Sequence, residues 1–107
     1  RGSFGFRIQQ NYVFEYDIKP IIQDFERYQL ILSLNQQKKT RIKLLVSGDS
    51  LDSQRLNKLE SEFRQLIAIA HSQYDLKVIK ANDKDFFINP VSMKSPVFVD
   101  KRNRIMI

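Results

Sequence analysis

The 107-residue chain contains no cysteine. Disulfides and thiolate metal sites are excluded, and a reducing compartment suits it, so a cytoplasmic location is expected. No run approaches the ~18 consecutive apolar residues of a membrane-spanning helix, and no membrane partner is expected. Internal repeats and low-complexity tracts are missing as well. Neither Gly-x-Gly-x-x-Gly nor the Gly-Lys-Ser of a phosphate-binding loop occurs, so no cofactor is expected.

What is present describes a small globular domain. Hydrophobic residues make up 42% and charged residues 28%, the balance of a folded chain rather than a disordered one. A chain of this length can bury roughly two-thirds of its unfolded surface without staples. Net charge is +6, with a pI near 9.7, a balance that attracts anions. Arg1-Gly2-Ser3 has the look of a tag remnant. Residues 4–107 then form a single α/β domain, expected to be a fragment of a larger protein.

The stretch 41–70 organises the rest. Ile42, Leu44, Leu45 and Val46 form a short apolar run, and Ser47-Gly48-Asp49-Ser50 turns the chain. Ser50 or Asp52 then caps a helix whose stripe is Leu56, Leu59, Phe63, Leu66, Ile67 and Ala70. This is the strand–loop–helix unit of a parallel sheet. Upstream, residues 4–8 read as a strand or an extended arm. Residues 12–17 read as a strand covered on both faces, because Tyr12, Val13, Phe14 and Tyr16 are β-formers. Asp17 is placed to cap a first helix with Pro20 in its first turn. Ile21, Phe25, Tyr28 and Leu32, widened by Ile22, Leu30, Ile31 and Leu34, carry that helix to about Gln36. Downstream, residues 74–80 alternate as a third strand. Residues 81–93 are irregular. Residues 97–100 and 104–107 read as a hairpin about Lys101-Arg102-Asn103. The predicted order is strand, helix, strand, helix, strand, hairpin: a mostly parallel central sheet with two main helices and an antiparallel edge.

No residue pattern supplies a reaction. The 47–50 loop lies where ligands bind in open α/β sheets, yet Asp49 would repel a phosphate, and the loop reads as a connection. His71 falls near the end of the second helix, where a cation complements the dipole; no orienting partner is apparent. Asp17, Asp49, Asp83, Asp85 and Asp100 fall near strand ends, but their spacing matches no calcium loop. They read as turn residues, not as a metal site. Two basic clusters remain: Lys38, Lys39, Arg41 and Lys43, and then Lys101, Arg102 and Arg104. Brought together, they would make an anion-binding face. Phe86 and Phe87 would either add stacking surface to it or bury in the core or an interface. Tyr28 and Ile31, with Leu30 and Leu34, give the first helix surplus apolar surface for a partner or a dimer.

From residue 12 to 107 the order is similar to one half of the phospholipase D-like fold. In that superfamily a helix precedes a strand like Arg-Ile-Lys-Leu-Leu-Val. A second helix follows, and then a strand like Leu76-Lys77-Val78-Ile79-Lys80. A strand pair like Pro96-Val97-Phe98-Val99-Asp100-Lys101-Arg102-Asn103-Arg104 closes the unit. The chain also resembles small phospholipase D-like domains of unknown function that accompany bacterial acetyltransferases. The superfamily's catalytic signature is His-x-Lys followed after four residues by Asp. Here Ser92 precedes Met93-Lys94, and Asp100 comes one residue too late. The resemblance therefore implies a non-catalytic copy used for binding. Paired halves in catalytic members imply that a lone half dimerises.

Three functions follow in order of expectation. The first is a non-enzymatic accessory module for protein contacts or self-association. The second is a nucleic-acid-binding domain using the two basic clusters. The third is a divergent hydrolase or nuclease, for which neither an activated nucleophile nor a metal cluster is visible.

Overall fold

The computed structural model describes residues 5–48, 51–88, 90–93 and 97–102. The chain is a mixed α/β domain. Two helices and a two-stranded antiparallel ribbon lie on one face of a four-stranded, mostly parallel sheet.

The ribbon comes first. β1 (Gly5–Ile8) pairs antiparallel with β2 (Asn11–Phe14), and Gln9 takes a positive φ of 55° in the turn. The strand expected over 12–17 thus ends at Phe14, where α1 (Glu15–Ile22) begins. Its aromatic residues are not covered on both faces: Tyr12 and Tyr16 are 47% and 64% exposed. The Asp17 carboxylate accepts the Phe14 N–H at 3.1 Å, so it closes the first turn from inside the helix. Pro20 falls in the second turn rather than the first. It lacks the N–H that would bond Tyr16, which suits a helix of only eight residues.

The expected continuation of that helix to Gln36 is not formed. Residues Arg27–Leu34 are β3, a central strand of the sheet. Leu30 and Leu32 face the helices and are fully buried, while Gln29 and Ile31 face the other way. With both faces covered, apolar residues fall on both parities, and the sequence shows no clean period of two. The spacing of Ile21, Phe25, Tyr28 and Leu32 imitates a helix by coincidence. Asn35 then organises a hairpin loop. Its Oδ1 accepts the N–H groups of Gln37 and Lys39, and Lys38 carries φ of 65°.

From here the expected elements are found. β4 (Thr40–Ser47) lies antiparallel to β3. α2 (Ser53–Ile67) starts with the Asp52 carboxylate accepting the Arg55 N–H at 2.9 Å, and ends at Ala68 in a left-handed turn. β5 (Tyr74–Lys80) runs parallel to β4. β6 (Phe98–Asp100) runs parallel to β3. The second strand of the expected terminal hairpin, 104–107, lies outside the described residues. Strand order is β5-β4-β3-β6.

The main core joins Phe6, Ile8, Val13, Ile18 and Ile22 to Leu59, Phe63 and Ile67 of α2 and to the inner sheet face. A smaller core on the outer face holds Leu45, Ala81 and Phe86. Gln29, fully buried, reinforces it. Its amide donates to the Phe87 carbonyl at 3.0 Å and its oxygen accepts the Phe87 N–H at 2.8 Å.

Candidate functional site

Strand register decides which charged residues meet. On the outer face, Leu45 lies beside Ile79, Lys43 beside Lys77, and Arg41 beside Asp75. The segment 81–88 covers only the first of these rows, through Ala81 and Phe86 on Leu45. Arg41, Lys43, Asp75 and Lys77 are left exposed. Arg41, Lys43 and Lys77 make no ion pair among the described residues. Asp75 instead accepts a hydrogen bond from the Asn35 amide at 2.9 Å, so the lone carboxylate of the patch is turned to the hairpin loop.

This patch continues round the edge of the sheet. A groove of about 820 Å³ is lined by Arg41, Lys43, Asp75 and Lys77 on one side of β5, and by Arg64, Tyr74 and Leu76 on the other. Arg64 comes from the last turn of α2. Its guanidinium bonds the Glu60 carboxylate at 3.2 Å and lies 5.4 Å from the centre of the Tyr74 ring. Three exposed cations without acidic partners and one paired arginine therefore border a single groove. It can hold an anion; it offers no nucleophile–base pair. No group of three or more histidine or acidic side chains suited to a metal occurs among the described residues.

The other candidate residues have local roles. Arg102 does not face a ligand. Its guanidinium grips Asp100 through two bonds of 3.0 and 2.9 Å, and donates to the Arg7 carbonyl and the Thr40 hydroxyl. The hydrogen bond with Arg102 holds the Asp100 carboxyl below the usual carboxylate range, against the opposing effect of burial. Arg102 thus ties β6 to β1 and β4. The two basic clusters come close at the Thr40 end of the sheet, but Arg102 is committed to structure. Lys38 and Lys101 are exposed and Lys39 is half-buried. Arg104 lies outside the described residues.

Phe86 is 3% exposed and packs beneath the Arg27 guanidinium, 4.2 Å from its ring centre. It belongs to the small core, and Phe87 is half-buried beside it. Tyr28 and Ile31 sit on the central strand β3, half-buried, and not on a helix face. Burial, with the Glu15 carboxylate nearby, pushes the Tyr28 hydroxyl up to about 12. His71 starts a short 3₁₀ turn after α2 has ended at Ile67, and Arg64 is the cation of the last helical turn. Asp83 pairs with Arg27 and Asp85 accepts the Asn82 N–H. Asp49 lies outside the described residues.

Lys77 and Arg64 were not among the residues singled out by sequence. Lys77 joins Lys43 only through the parallel register, and Arg64 reaches the groove only because α2 packs on β5. A signal for Lys77 did exist: both strands alternate, and each places a basic residue one position before an inward apolar one.

No protein-family model matches the chain, and no curated protein matches it. Among solved structures it is similar to a domain of phenylacetate-coenzyme A ligase from Bacteroides vulgatus. The likeness covers 94% of both chains, with a TM-score of 0.52 and 16% identity. At that identity it is a likeness of fold.

Proposed function

We propose that this domain is a non-enzymatic accessory module of a larger cytoplasmic protein, and that it works by binding an anionic protein surface. The observation that supports this reading is the trio Arg41, Lys43 and Lys77, exposed together on the outer sheet face with no ion pair to a described acidic residue. Aligned like charges repel one another, and an anion relieves that repulsion while gaining several contacts at once. Nucleic acid is the competing anion. Among the described residues, however, the groove presents no exposed ring for bases to stack on, since the aromatic residue that lines it, Tyr74, is buried.

The test is binding of polyglutamate and of oligothymidylate, each at rising salt. The expected result is polyglutamate binding that weakens with ionic strength and falls about tenfold or more in the Lys43→Glu, Lys77→Glu double variant. Equal binding by that variant, or no binding of polyglutamate at low salt, would overturn the reading.

A more specific version takes the larger protein to be a coenzyme A ligase. It is favoured by the end-to-end match with a domain of phenylacetate-coenzyme A ligase. The full-length protein would then join phenylacetate or a related acid to coenzyme A. Failure across a panel of such acids would remove this version and leave the binding role standing.

A further inference from the structure

The groove surrounds a strand with no described strand on its outer side. β5 is the last strand of the sheet in the order β5-β4-β3-β6, and no described strand pairs beyond it. Seven residues, Tyr74–Lys80, therefore turn every second N–H and C=O away from the sheet. On the inner side of this edge, Leu76 and Val78 are only half covered by α2. On the outer side stand Lys77 and, one strand further in, Lys43.

We propose that the free edge of β5 receives an extended acidic peptide segment of a protein partner as a fifth strand. This rests on the anion-binding reading above and names the partner's form. Main-chain hydrogen bonds would hold such a segment, and alternate side chains would decide which segment binds. Side chains on one face of the added strand fall beside Leu76 and Val78, where apolar groups complete a half-made core, with Arg64 at the end of the row. Side chains on the other face fall beside Lys77, within a long side chain's reach of Lys43 and Arg41. The segment that fits alternates apolar and acidic residues.

Two rival occupants fit less well. A nucleic acid would leave the outward amides and the half-covered Leu76 and Val78 unused. A second copy paired edge to edge about a two-fold axis would set both basic faces side by side, Arg41, Lys43 and Lys77 of each against the other's.

The probe is a fluorescent peptide of about eight residues, a usual strand length, alternating glutamate and valine. Its glutamine counterpart and an oligothymidylate serve as comparisons. Binding is read by anisotropy, and its place by amide hydrogen exchange. The expected result is binding that slows exchange of alternate amides in β5. It is weakened about tenfold or more by the glutamine replacement and by Lys77→Glu, as like charge at a contact requires. Circular dichroism checks that the exposed substitution leaves the fold intact.

If polyglutamate binds but the peptide leaves β5 exchange unchanged, strand addition is overturned while the anion-binding reading survives. If neither polymer nor peptide binds, both fall. Oligothymidylate protecting β5 more strongly than the peptide would assign the edge to nucleic acid. Exchange at β5 that slows with protein concentration alone would assign it to a second copy. Either result overturns the proposal.

Discussion

Single side chains carry much of this domain's organisation. Gln29 is the clearest case, since it is buried in mid-sheet and holds the backbone of Phe87 with both ends of its amide. Gln29→Leu would keep the volume and remove both of those hydrogen bonds. A loss of about 2–3 kcal/mol is expected, read as a shift in urea midpoint, with faster amide exchange in residues 83–88. Tyr28 gives a pH signature. Its hydroxyl is raised to about 12, by burial first and then by Glu15. The neutral form is thus favoured in the fold. That contribution is complete below the unfolded value near 10 and is lost as pH climbs through 12. Ultraviolet titration should show one tyrosine ionising near pH 12 that is missing in Tyr28→Phe. Residue-scale reading of the sequence named Arg41 and Lys43 for the basic face, and both stand there. It also named Arg102 and Phe86, which are taken up by Asp100 and by the small core. A side chain's type shows what it can bind, whereas its partner is set by strands far away in sequence.

The elements divide by how they are covered. α2 and β5 were legible because apolar residues recur along one face, and β4 because its short apolar run ends in a polar turn. α2 is the plainest, with Leu59, Phe63 and Ile67 buried along one stripe and Asp52 at its start. β3 was illegible as a strand because both its faces are covered. β2 was legible as a strand but not in its end, because it stops at Phe14 to start a helix. A pair of α2 variants separates the stripe from the cap. Asp52→Ala should cost about 1 kcal/mol, as the loss of an N-cap does. Phe63→Ala should cost about 3–5 kcal/mol through the cavity it leaves between helix and sheet. Chemical denaturation of the two variants checks the ratio. A cap loss as large as the core loss would mean that α2 is held mainly by its end.

At the scale of the molecule, the asymmetry of the sheet matters most. Its inner face is closed by α1, α2 and the β1–β2 ribbon. Among the described residues, its outer face is closed only on the side reached by residues 81–88. The part left open carries cations that make no ion pair among the described residues, and it ends at an edge with no described strand beyond it. Neither feature is visible in the sequence, because both depend on the order β5-β4-β3-β6 and on the parallel register of β4 with β5. The proposed role gives that open face to an anionic protein segment and leaves the remainder as scaffold. The most direct measurement is a nuclear magnetic resonance titration of the isotopically labelled domain with polyglutamate at low salt. The account predicts shifts concentrated at Arg41, Lys43, Asp75 and Lys77, fading as salt is raised. Shifts centred instead on Lys38 and Lys101, or spread evenly over the surface, would contradict it.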